Sequence, residues 1–157
     1  MTDTPQKISR AEFEALVGQP MGSSDWMQIT QAQIDAFADC THDHQFIHVD
    51  PERAAQTPFG STIAHGFLTL SLLSAMAYQL PDVEGTVMAV NYGFEKVRFV
   101  SPVKVGARIR GHFTMARVQE IRPGELQTTM TVTVEIEGQD RPALIAEWIG
   151  RRYFGGN

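Results

Sequence analysis

The stretch 63-IAHGFLTLSLLSAMAYQL-80 decides the fold. From His65 to about Gln79, apolar residues fall on nearly every side of a 3.6-residue period, so a helix here has to be enclosed by the rest of the protein. Pro81 stops it. At ~1.5 Å per residue it would be roughly 22 Å long. With His65, Ser71, Ser74 and Gln79 inside it, the segment reads as a core helix and not as a membrane span.

What encloses that helix lies downstream. The stretch 106-GARIRGHFTMARV-118 alternates, with Ala107, Ile109, Phe113 and Met115 on one face. The stretch 126-LQTTMTVTVEIE-137 does the same, with Leu126, Met130, Val132, Val134 and Ile136 inward and the Thr and Glu residues between them outward. Pro-Gly in 122-RPGE-125 suits a type II turn joining the two. A last strand is expected in 143-ALIAEWIGRRYF-154 and an earlier one within 86-TVMAVNYGFEKVRFV-100. Period-2 runs joined by short turns make an antiparallel sheet. One such sheet wrapped around one long buried helix is an α+β architecture.

Upstream, Ser9 and Glu12 in 9-SRAEFEAL-16 form a capping-box pattern for a short helix ended by Gly18. A short strand is expected within 23–29. Thr30 caps a helix over 31-QAQIDAFADC-40 that frays near Thr41, its apolar stripe being Ile34, Phe37 and Ala38. Asp50-Pro51 reads as a cap followed by Pro at the first helical position, opening 51-PERAAQ-56.

The chain has 157 residues, 43% of them hydrophobic and 20% charged, which suits one globular domain over 1–157. No repeat or low-complexity linker divides it. The net charge is −5 and no basic run exceeds Arg151-Arg152, which argues against nucleic-acid binding. The single cysteine, Cys40, allows no internal disulfide and no cysteine metal cluster. Residues 1–17 lack the basic start and apolar run of a signal peptide, so a cytoplasmic protein with no membrane contact is expected.

The chemistry concentrates in 39-DCTHDHQFIHVDPERA-54, which holds three of the five histidines and three aspartates. Asp50 is expected to be a helix cap, and Asp39, His42 and His44 to be bystanders. His42-x-His44 with His48 and Asp43 offers ligands of the right type for a metal ion. An H-x-H pair converges on one ion only from extended backbone, however, and no further ligands support it, so no metal is expected. A carboxylate and an imidazole five residues apart, Asp43 and His48, can instead be brought to one water by a curled loop and act as an acid/base pair. The start of the long helix adds an electrophilic element. Its first N–H groups have no helical partner, and Gly66 lets a ligand oxygen come close. A packing glycine is the plain alternative for Gly66. For His65 it is a capping or core histidine, and for Ser74 a hydroxyl bonded back to its own helix.

The block Asp43-x4-His48-x-Asp50-Pro51 followed by 63-IAHGFLTLSLLS-74 resembles the MaoC-like dehydratases, including the (R)-specific enoyl-CoA hydratases, and within them the branch containing nodulation protein N. The motifs span about positions 37–74. The resemblance implies the hot-dog fold and reversible hydration of trans-2-enoyl thioesters to (3R)-3-hydroxyacyl thioesters. It implies Asp43 and His48 as the pair that holds and activates water, and the Gly66 N–H as the group that polarises the thioester carbonyl. It implies Ser74 as a hydrogen-bond partner of Asp43. Where many members have Asn-Pro this chain has Gln45-Phe46; Gln45 then stands in for a site asparagine, and Phe46 is placed to narrow the acyl pocket. The implied substrate is an acyl-CoA or acyl-carrier-protein thioester, with no other cofactor, and the implied assembly is a homodimer or larger, joined edge to edge. A thioesterase on the same fold and a non-catalytic acyl-thioester binding protein are the alternatives.

Overall fold

The computed structural model of the protein describes residues 5–155. In chain order the elements are β1 (Lys7–Ile8), α1 (Arg10–Ala15), β2 (Pro20–Ser23), β3 (Met27–Gln28), α2 (Gln31–Thr41), α3 (Phe46–Val49), α4 (Pro51–Ala55), α5 (Gly66–Ser71), α6 (Leu73–Ala77), β4 (Asp82–Val83), β5 (Thr86–Phe99), β6 (Arg108–Arg122), β7 (Glu125–Ile136) and β8 (Leu144–Phe154). The main sheet runs β2-β6-β7-β8-β5, antiparallel throughout, with β3 also paired to β6. Its concave face closes over α5 and α6, which is the hot-dog arrangement. β1 and β4 form a separate parallel pair two residues long.

The alternation read in the strands sets the core. Ile109, Phe113 and Met115 of β6 and Val132, Val134 and Ile136 of β7 are buried and pack with Leu73 and Met76 of α6 and Trp148 of β8. Gly124 in the β6–β7 turn has φ +80°, the left-handed value a type II turn needs at that position. The capping boxes at Ser9/Glu12 and Thr30/Gln33 are both closed.

Several local expectations are corrected. The core helix is two pieces broken at Leu72. The Ser71 hydroxyl donates to the Phe67 carbonyl at 2.7 Å, the kind of back-bond that loosens a helix. Nor is it enclosed on all sides: Phe67 (65% exposed), Ser71, Ala75 and Tyr78 (71%) lie three or four apart and leave one stripe open. The strand expected within 23–29 is split into β2 and β3. Thr128 and Thr129 are buried and not outward: Thr128 falls in phase with inward Leu126 and Met130, and its hydroxyl accepts from Arg152 Nη1 at 3.0 Å. Among the described residues β5 lies at the sheet edge, paired only to β8, and exposes Val87, Met88, Val90 and Tyr92.

Candidate active site

α2 ends at His42, which takes the left-handed conformation at φ 60°, ψ 21°. It is the only non-glycine residue with positive φ among those described. His42 therefore shapes the chain: it turns the backbone so that Asp43 leaves the helix axis. The Asp43 carboxylate then accepts the Gln45 N–H at 3.4 Å, a local turn bond. Next comes α3, a single turn that carries His48, where an irregular loop was expected. Asp50 ends α3 and at once caps α4, accepting the Arg53 N–H at 3.0 Å, with Pro51 at the first helical position as expected.

His48 is buried, with 7% of its surface exposed. Its Nδ1 lies 2.6 Å from the Ile63 carbonyl. A carbonyl only accepts, so Nδ1 carries the proton and the Nε2 of the neutral ring keeps its lone pair. Burial pushes the imidazole below its ordinary value of 6.5, against the bond to Ile63. Neighbouring His65 lowers it further, and Asp43 acts in the opposite sense. The His48 backbone is tethered too. Gln31 Nε2 donates to its carbonyl at 2.8 Å while Gln31 Oε1 accepts from Thr62 Oγ1 at 2.6 Å.

One ring nitrogen of His48, one of His65 and a carboxylate oxygen of Asp43 lie within 4.8 Å of one another. The two rings are stacked, with centroids 3.7 Å apart and 23° between planes. Groups this close could hold a metal ion or a small hydrogen-bonding molecule such as water.

His48 and Gly66 line one cavity of about 290 Å³ together with Phe59, Thr69 and Phe99. Asp43 reaches His48 from the exposed loop side. Gly66 opens α5, so its N–H has no acceptor within that helix. A β-carbon at Gly66 would lie 2.9 Å from the Phe99 ring. The glycine therefore packs closely against Phe99, and it lines the same cavity as His48.

Other positions fall differently. Ser74 is bonded neither to Asp43 nor back to its own helix: its hydroxyl accepts from Asn91 Nδ2 at 3.2 Å. Two helical turns beyond Gly66, it lines a second cavity of about 200 Å³ with Ala77, Met130 and Trp148. Gln45 contributes its backbone N–H to Asp43. Phe46 packs under Arg53, whose guanidinium lies 4.2 Å from the ring centroid, and does not line the His48 cavity. His44 donates to exposed Asp39 at 2.8 Å. Phe99 and the Ile63 carbonyl were missed by sequence reasoning. Nothing local marks them, because one comes from a strand more than thirty residues downstream of Gly66 and the other is backbone.

Comparison with known proteins completes the picture. Nodulation protein N of Rhizobium leguminosarum bv. viciae is 54% identical over 145 residues, covering 91% of this chain and 90% of that protein. The 3-hydroxyacyl-thioester dehydratase Z of Mycobacterium tuberculosis is 50% identical over 143 residues, covering 91% and 95%. The crystal structure of the (R)-hydratase from A. caviae involved in PHA biosynthesis shares the fold with a TM-score of 0.68 at 23% identity, covering 84% of this chain and 95% of that one. The model of the MaoC-like domain matches residues 12–138, and the chain belongs to the MaoC-like dehydratase family, whose relatives include hydratases and dehydratases.

Proposed function

We propose that the protein reversibly hydrates trans-2-enoyl thioesters to (3R)-3-hydroxyacyl thioesters. The observation that supports this reading is that His48 and Gly66 line one cavity, with the Asp43 carboxylate close to His48. A relative half identical in sequence is named for dehydrating 3-hydroxyacyl thioesters, the reverse direction of the same reaction.

In this mechanism a water sits between Asp43 and the His48 Nε2 lone pair. Its oxygen bonds to the β-carbon while His48 takes one of its protons, and Asp43 fixes its orientation by accepting the other hydrogen. The π electrons move to the α-carbon and the thioester oxygen, where the Gly66 N–H meets the negative charge. The imidazolium then returns its proton to the α-carbon on the same face. All atoms of water end on the product and His48 is neutral again.

A second copy of the chain is placed along β5. Its outer edge carries unpaired backbone groups and exposed Val90 and Tyr92, a surface that a monomer in water would have to protect. Light scattering at micromolar concentration should report a dimer or larger, and a Tyr92→Lys variant a smaller species. A wild-type monomer would remove this part of the reading.

The deciding assay follows the enoyl absorbance of crotonyl-CoA and of longer enoyl-CoAs, with product chirality. Loss of absorbance and a (3R) product are expected, with no free thiol. Thiol release from a saturated acyl-CoA would replace hydration with thioester cleavage. Tight binding without turnover on any chain length would make the protein a binder.

A further inference from the structure

His65 is 2% exposed, and nothing in the reaction above uses it. Its Nε2 lies 2.9 Å from the Asp43 carbonyl, so Nε2 carries the ring proton. Nδ1 is then a bare acceptor. It is shut off from solvent and has no hydrogen-bond partner among the described residues. One face of the ring lies on His48, and Phe37 of α2 approaches it at 5.0 Å with a 54° tilt.

This arrangement is costly if it serves packing alone, since a buried acceptor left unmade weakens the fold. A Phe or Leu would fill the same space without that cost. What only His65 provides is a link. It stands at the N-cap of α5, immediately before Gly66, and its N–H fastens the Asp43 main chain across 22 positions of sequence. Its flat face sets the plane of His48. One side chain therefore ties together three things that the reaction needs in fixed register: the carboxylate, the imidazole and the start of α5.

We infer that His65 is a positioning residue for hydration, a ring that holds Asp43 by its backbone and His48 by stacking. It is not itself an acid or base. The Asp43 carbonyl, which only accepts, fixes its Nε2–H tautomer. The inference rests on the hydratase reading for its consequence in catalysis, but the ring's state can be measured without any substrate.

The experiment has two arms. In the first, histidine ¹⁵N shifts of the wild-type protein are followed across pH. The expected pattern is an Nε2–H tautomer for His65 and an Nδ1–H tautomer for His48, with the His48 proton uptake shifted to lower pH than that of an ordinary histidine. An Nδ1–H tautomer of His65 would overturn the inference. In the second arm, His65→Phe keeps the stacked ring and loses the donor, whereas His65→Gln keeps a donor for the Asp43 carbonyl. His65→Phe should lower kcat roughly 10- to 100-fold with KM within about twofold. His65→Gln should recover part of kcat. A folded His65→Phe protein with wild-type kcat would also overturn it. A wild-type protein that hydrates no enoyl thioester would remove the functional reading, and the tautomer arm would still judge His65.

Discussion

Two pairs of histidines sit in contrasting surroundings. His44 and His112 are partly exposed, and each donates to a carboxylate: His44 to Asp39 at 2.8 Å and His112 to Glu135 at 2.6 Å. His48 and His65 are buried, and each donates to a backbone carbonyl, Ile63 and Asp43. For His48, burial favours the neutral ring against the bond to Ile63. A carbonyl partner chooses which nitrogen of a buried ring keeps its lone pair. The difference teaches that backbone geometry decides which ring nitrogen a buried histidine here leaves free.

The largest test of that contrast is removal of the working groups. His48→Gln and Asp43→Asn should each lower kcat on crotonyl-CoA by about 10²–10⁴ while circular dichroism stays unchanged. His44→Gln and His112→Gln should stay within about twofold. If His44→Gln proved as damaging as His48→Gln, the contrast would be wrong.

Gly66→Ala comes next. Its new β-carbon meets the base of the Phe99 ring, which is not the mobile end of a side chain. Displacing that ring should cost about 1–3 kcal/mol of stability and lower kcat/KM about tenfold. Adding Phe99→Leu should return part of both, as read by thermal melting and initial rates. No recovery would mean that the glycine is needed for something other than clearance from Phe99.

A smaller effect separates the pairs by pH. Folded His48 takes up its proton at lower pH than the unfolded chain does, so between the two values unfolding binds a proton and stability rises with pH. The contribution is lost progressively as pH drops through 6.5, and activity that needs neutral His48 falls on the same side. Melting temperature compared between wild type and His48→Gln should show the wild type losing more on acidification. A difference independent of pH between 5 and 8 would contradict this. Smallest of all, His44→Gln should move stability by less than about 0.5 kcal/mol, because its partner Asp39 is exposed.

Much of the fold was legible because it rests on period. Strands β6, β7 and β8 announce themselves by alternation, and Thr30, Ser9 and Asp50 by capping chemistry that acts within four residues. The proximity of Asp43 and His48 was legible for a similar reason, since both lie in one short turn-rich stretch. What was not legible depends on distance in sequence. The exposed stripe on α5 and α6 follows from how far the sheet curls round them. Phe99 reaches Gly66 only because β5 pairs with β8 in the observed register. Ser74 points to Asn91 because of where β5 passes, which no local rule gives. The partner of the buried Thr128 hydroxyl is Arg152, 24 residues away.

Asp50 does two jobs at one position, ending α3 and capping α4. The chain from Phe46 to Ala55 therefore has no slack in it. A residue inserted just after His48 would have to rotate α4 or unwind α3, because there is no loop to absorb the extra length, while the same insertion after Gly138, in a turn with open space around it, would be taken up at the surface. Length variation in this protein should accordingly be tolerated at the sheet's turns and excluded from those ten residues.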